Sequence, residues 1–140
     1  MMPVNEMEPS VATILIVDDE APIRRMLRDL LEGEGHTVME ASDGRAAMRC
    51  LREQPSDLVI TDILMPQEDG IEVIRETRRI APGTKIIAIS GGGRQGKADF
   101  LNIARCLGAK RTIEKPFALD KFLEAVKEVL REDGPPSPIP

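Results

Sequence analysis

Leu58-Val-Ile-Thr-Asp-Ile-Leu-Met-Pro66 is the stretch whose reading decides the fold. Leu58, Val59 and Ile60 form a short apolar run ahead of Thr61. Bounded by turn residues, such a run predicts a strand buried on both faces of a parallel sheet. Asp62 closes it. A carboxylate is costly to bury beside so much apolar sequence, so it is expected to emerge at the strand's carboxyl end. In open α/β sheets that edge is where ligands bind. A lone strand-end aspartate more often starts a loop or caps a helix, so the ends of the other strands decide whether Asp62 has chemistry.

Upstream, Thr13 to Val17 is a second apolar run, and it ends in Asp18, Asp19 and Glu20. Pro22 suits the first turn of a helix, where a missing N–H costs nothing. Ile23, Met26, Leu27, Leu30 and Leu31 then follow the spacing of one buried helical face. Gly33 and Gly35 stop that helix. Thr37 to Ala41 is a weaker strand, with His36 read as a surface turn residue before it. Asp43-Gly44 opens a helix that turns Ala47, Cys50 and Leu51 inward.

Downstream, Pro66, Asp69 and Gly70 mark a loop ahead of a helix from about Ile71 to Ile80. Its Arg75, Arg78 and Arg79 sit toward the C-terminus, where the helix dipole favours cations. Lys85 to Ile89 is a fourth strand ending in Ser90, and the glycine-rich loop Gly91–Gly96 follows. The next helix is expected to pack through Phe100, Leu101, Ile103, Ala104 and Leu107, with Gly108 as its C-terminal cap. Arg111 to Ile113 is a fifth strand, followed by Glu114-Lys115-Pro116-Phe117. A last helix over Leu119 to Arg131 buries Phe122, Leu123, Val126, Val129 and Leu130.

Strands alternate with helices five times across short connections. That predicts one α/β domain: a doubly wound parallel sheet of five strands with five helices on its two faces and right-handed crossovers. Residues 1–11 are expected to form a flexible N-terminal segment, 12–132 the domain, and 133–140 a Pro-rich tail or linker remnant.

Composition narrows the function. Of 140 residues, 41% are apolar and 31% charged, an ordinary balance for a single globular domain. The formal net charge of −5 argues against a nucleic-acid partner, which needs a basic patch. Trp and Tyr are absent and Phe occurs at 100, 117 and 122, a poor basis for stacking on bases or a flavin. Cys50 and Cys106 lack metal-ligand spacing and are read as reduced, packed thiols of a cytoplasmic protein. The N-terminus has no signal-peptide core, and no apolar run approaches membrane length.

Four of the five strands finish in a reactive residue: Asp18 and Asp19, Asp62, Ser90, and Lys115. A parallel sheet sets those ends along one edge. Three carboxylates crowded there repel one another and stay ionised only with a cation among them. The ligands offered are all oxygens, which suits a hard cation, Mg²⁺ before Ca²⁺, with room for waters and a phosphoryl group. A hydroxyl and an ammonium facing them are donors for an anion. Together they describe phosphoryl transfer onto an oxygen nucleophile.

At these residues the chain resembles the receiver domains of two-component response regulators. The resemblance covers nearly all of residues 12–132 and rests on Asp18-Asp19, on Asp62 with Met65-Pro66 and Gly70, on Ser90, and on Lys115-Pro116-Phe117. It implies a flavodoxin-like sheet of order 2-1-3-4-5. It implies that Asp62 accepts a phosphoryl group from a histidine kinase, a phosphotransfer protein or a small acyl phosphate. Asp19, Asp62 and the backbone carbonyl of Leu64 then bind Mg²⁺ directly, and Asp18 does so directly or through water. Lys115 pairs with the phosphoryl oxygens, Ser90 moves to hydrogen-bond them, and the Lys115–Pro116 bond is cis. The state passes to an unidentified downstream protein at the face of the last two helices and fifth strand, which is also the candidate homodimer surface. Membrane and nucleic acid are not expected as partners.

The sequence departs from the family pattern at Thr112, where many receivers carry an aromatic residue, and at Gly91, often alanine. The glycine loop is expected to order on phosphorylation. Two enzymes compete with this reading. Gly91 to Lys97 fits a nucleotide-binding P-loop, but Ala98 stands where that motif needs a hydroxyl. An Asp-nucleophile phosphatase shares the chemistry, but its nucleophile usually follows the first strand. No second hydrophobic pattern follows residue 132, which favours a stand-alone domain acting by contact.

Overall fold

Alternating apolar side chains from each strand feed two separate cores, and this makes the sheet a middle layer. In a computed structural model, which describes residues 11–65, 69–90 and 97–132, the elements run in strict alternation. They are β1 (Thr13–Val17), α1 (Ala21–Gly33), β2 (Thr37–Ala41), α2 (Gly44–Glu53) and β3 (Leu58–Asp62), then α3 (Asp69–Ile80), β4 (Lys85–Ser90), α4 (Lys97–Cys106), β5 (Arg111–Glu114) and α5 (Leu119–Arg131). All strand pairs are parallel, in the order β2-β1-β3-β4-β5. That is the flavodoxin-like order the resemblance implied.

On one face Leu15, Val17, Val59, Ile86 and Ala88 pack with Ala47 and Leu51 of α2 and with Val73 and Ile74 of α3. On the other, Ile14, Ile16, Leu58, Ile60 and Ile87 meet Leu27 and Leu31 of α1 and Phe122, Val126 and Val129 of α5. With both faces covered, the inner strands need no polar side, so β1, β3 and β4 read as largely apolar runs, while the edge strands β2 and β5 keep polar residues such as Glu40 and Arg111. The central strand β3 is buried along its whole length, Asp62 included. Asp43 caps α2 through a side-chain oxygen that accepts from Ala46 N at 2.8 Å.

Several side chains depart from expectation. His36 is not a surface turn residue: it is 9% exposed, and its Nδ1 accepts the Ala12 N–H at 3.1 Å. The ladder between β1 and β2 begins beside it, with Thr37 N donating to Ala12 O, and His36 satisfies the amide just outside that ladder. Met26 is 42% exposed because it lies about 100° around the helix from Leu27, at the flank of the buried stripe. Ile103 is likewise exposed next to the buried Ala104. Cys106 is exposed rather than packed, whereas Cys50 is half-buried; both are free. Helix α3 begins two residues before the expected Ile71, at Asp69. Expectations for Pro66 and for the loop 91–96 fall outside the described residues, as do the side chains of Phe100 and Leu101.

Candidate functional site

Each reactive residue sits where its strand stops. Register pairs Val17 with Thr61, Asp62 with Ile89, and Ser90 with Glu114, so the carboxyl ends of β1, β3, β4 and β5 lie abreast. Asp18 and Asp19 follow β1, Asp62 ends β3, Ser90 ends β4, and Lys115 follows β5. Residues some forty to fifty apart in the chain thereby share one edge.

The carboxylates of Asp18, Asp19 and Asp62 offer one oxygen each within 4.8 Å of one another. Asp18 and Asp62 are buried, at 2% and 6% exposure, and Asp19 is exposed. Lys115 Nζ lies 3.0 Å from Asp62 Oδ2 and 3.6 Å from Asp18 Oδ2. Asp62 Oδ1 accepts the Leu64 N–H at 3.0 Å, which fixes the carboxylate from its other side. Ser90 Oγ is buried with no hydrogen-bond partner among the described residues. An orphaned buried hydroxyl is costly and calls for an explanation, and at this edge a ligand oxygen would supply the missing partner.

The surroundings hold these parts in place. Lys115 N donates to Ser90 O at 2.7 Å, and Ile63 N to Ile89 O at 2.8 Å, so the ladders continue past the strand ends into the site. The Lys115–Pro116 bond is cis. Two residues on, Phe117 stacks on the fully buried Phe122 with ring centroids 5.5 Å apart, tying the lysine segment to the core. Gly70 admits α3 against the end of β3: a Cβ there would stand 2.2 Å from the Asp62 carbonyl oxygen. No other residue fits that approach.

Burial pushes the Asp62 carboxyl above its ordinary range, and Asp18 adds to this, while Lys115 and the Leu64 amide oppose it. Burial alone favours a neutral Lys115 amine, but Asp62, Asp18 and Glu20 outweigh it and raise its pKa. The ammonium therefore stays charged. Three carboxylates against one ammonium leave two negative charges uncompensated, and the donors are all oxygens. That donor set fits a hard divalent cation such as Mg²⁺.

Two contributors escaped the sequence reading. Arg24 Nη1 donates to the Asp18 carbonyl at 2.7 Å while its Nε binds Glu40 on β2 at 2.8 Å, bracing the backbone under the carboxylates. Glu20 reaches Lys115, with Oε1 3.9 Å from Nζ. Neither carries a local signal, since Arg24 reads as one more polar position of an amphipathic helix and Glu20 as part of an acidic first turn.

Comparison with known proteins agrees with this geometry. Residues 14–127 match the model of the response regulator receiver domain. The chemotaxis protein CheY of Thermotoga maritima is 40% identical over 117 residues, spanning 83% of this chain and 95% of that protein. The CheY of Bacillus subtilis is 41% identical over 118 residues, spanning 84% and 96%. Among solved structures, the receiver domain of NtrX from Brucella abortus superposes with a TM-score of 0.79 at 30% identity, over 86% of this chain and 99% of that domain. With the acidic edge, the lysine and the strand order all in place, the chain belongs to the response regulator receiver domain family.

Proposed function

We propose that Asp62 is the phosphoacceptor of this receiver and that Lys115 and Ser90 read its state. The observation that carries the proposal is the Lys115 ammonium 3.0 Å from Asp62 within a cluster of three carboxylates. One Asp62 carboxylate oxygen attacks phosphorus, and the bond to the leaving group breaks as its electron pair departs with imidazole or a carboxylate. Lys115 offers its charge to the phosphoryl oxygens, and the partnerless Ser90 hydroxyl turns to donate to them. Asp18, Asp19, Asp62 and the Leu64 backbone carbonyl would hold Mg²⁺, which when bound would supply charge neutralisation for the approaching anions. The domain modifies itself and turns over no separate substrate.

The donor is a histidine kinase or a phosphotransfer protein, and the domain works in the cytoplasm. Among the described residues no helix is long and apolar enough to cross a membrane. Output passes to a downstream protein, or to a second copy, at the face of α4, β5 and α5, where Ile103 is 43% exposed. Intact mass after incubation with Mg²⁺ and acetyl phosphate tests the assignment. One phosphoryl group is expected on the native chain and none on Asp62→Asn. A modified Asp62→Asn would move the acceptor elsewhere, and sustained turnover of free phosphomonoesters would favour the phosphatase reading.

A further inference from the structure

Three carboxylates surround Lys115 Nζ among the described residues, at 3.0 Å for Asp62, 3.6 Å for Asp18 and 3.9 Å for Glu20. The phosphotransfer proposed above gives Glu20 no task. Its backbone is engaged: its N–H donates to Asp18 Oδ1 at 2.8 Å, and its carbonyl accepts from Arg24 N at 3.0 Å. It occupies the N-cap position of α1, yet its side chain makes no capping bond. The carboxylate reaches across to the lysine instead. The side chains of Asp62 and Asp18 are 7% and 3% exposed, whereas that of Glu20 is 59% exposed, so its charge stands at the solvent rim of the pocket.

An exposed pair at this distance adds little to stability. Its field still acts on whatever enters. A phosphodonor whose oxygens approach the Lys115 ammonium brings its negative charge into the field of Glu20, 3.9 Å from that ammonium, and the cost rises with that charge. We infer that Glu20 is a specificity-determining residue for the phosphodonor, disfavouring small dianionic acyl phosphates relative to donors with a cationic leaving group. A protein phosphohistidine with a protonated imidazole is a donor of the favoured kind. The inference rests on Asp62 as acceptor.

Two small donors separate the charge effect from all others. With acetyl phosphate, a dianion, the Asp62 oxygen bonds to phosphorus as the P–O bond breaks and acetate leaves with the electron pair. With phosphoramidate, a monoanion whose nitrogen is protonated, the P–N bond breaks and ammonia leaves with the pair. Both give the same acyl phosphate on Asp62, so a change in product stability cancels between them.

Rates of adduct formation at saturating Mg²⁺ are to be measured by intact mass for the native chain, Glu20→Gln and Glu20→Asp. Glu20→Gln is expected to shift the ratio of the two rates about threefold toward acetyl phosphate at low salt. At about 1 M salt that shift should vanish. Glu20→Asp keeps the charge and should keep the native ratio. If Glu20→Gln alters both rates by one common factor, or shifts the ratio equally at low and high salt, the inference is overturned. If neither donor modifies the native chain, the assignment of Asp62 falls first and this inference with it.

Discussion

Replacing Gly70 by alanine tests the packing that aims Asp62. In an open helical position this change stabilises by about 1 kcal/mol, because alanine loses less backbone freedom than glycine on folding. At Gly70 the sign should reverse. The added Cβ would stand 2.2 Å from the Asp62 carbonyl oxygen, 2.4 Å from Ile63 Cα and 2.6 Å from the Ile63 carbonyl oxygen. All three obstacles are backbone, so no side-chain rotation relieves them. Restoring ordinary contact requires α3 or the end of β3 to move by roughly 1 Å. Overpacking of this kind costs about 1–3 kcal/mol, and rigid obstacles put the cost at the upper end. Set against the helical gain, Gly70→Ala is expected to lose about 1–2 kcal/mol. With a urea m-value near 2 kcal/mol/M, the unfolding midpoint should fall by about 0.5–1 M. Gly33 is the internal control. Nothing lies within 4 Å of a Cβ there, so Gly33→Ala should be neutral or slightly stabilising. Displacement of the Asp62 backbone should also slow phosphorylation by acetyl phosphate by up to about a hundredfold. A Gly70→Ala protein with native stability and native phosphorylation rate would refute the claim that this contact sets the site.

Two further outcomes follow from the titratable groups and the donor set. Burial lowers the His36 pKa below its ordinary 6.5, with Glu34 opposing weakly. As pH falls through about 6.5 the unfolded chain gains a proton that the native histidine refuses, so native stability falls with pH in that window. His36→Gln should show a shallower loss of urea midpoint between pH 7.5 and 5.5, and parallel losses would count against the buried neutral imidazole. Mg²⁺ at a hundred times its Kd should raise native stability by about 2.7 kcal/mol. Asp19→Asn replaces an exposed carboxylate and should lose most of that gain, and an equal gain in both proteins removes Asp19 from the ligand set.

The fold was legible because its determinants are local and repeated. The inner strands β1, β3 and β4 are apolar at nearly every position facing the two cores, and α1, α2 and α5 each bury one stripe. The site was legible for a related reason. When every strand of a parallel sheet points the same way, the residue that ends each strand is assigned to one edge without knowledge of any contact. Asp18, Asp62, Ser90 and Lys115 needed nothing more than that. The unread features need a partner distant in the chain. His36 is buried because Ala12, 24 residues away, has an amide to satisfy. Glu20 matters because β5 delivers an ammonium to within 3.9 Å of it. Met26, on the flank of the α1 stripe, lines a groove of about 390 Å³ with Pro116, Phe117 and Leu119 that only the folded chain brings together. Thr112 marks the boundary between the two kinds of information. The sequence shows that the usual aromatic is missing, and the structure sets Thr112 half-buried beside Ala88 in the β4–β5 ladder. In the proposed switch, a small polar side chain there would not fill space left by Ser90 as a ring would. Under the proposed phosphorylation of Asp62, the Ser90 hydroxyl, buried and without a partner among the described residues, would have to convert its gain of a phosphoryl bond into motion of the backbone itself. That backbone is already tied to the lysine segment through the Lys115 amide on the Ser90 carbonyl. A shift at either residue is thus felt by the other through one hydrogen bond, with no ring needed to carry it.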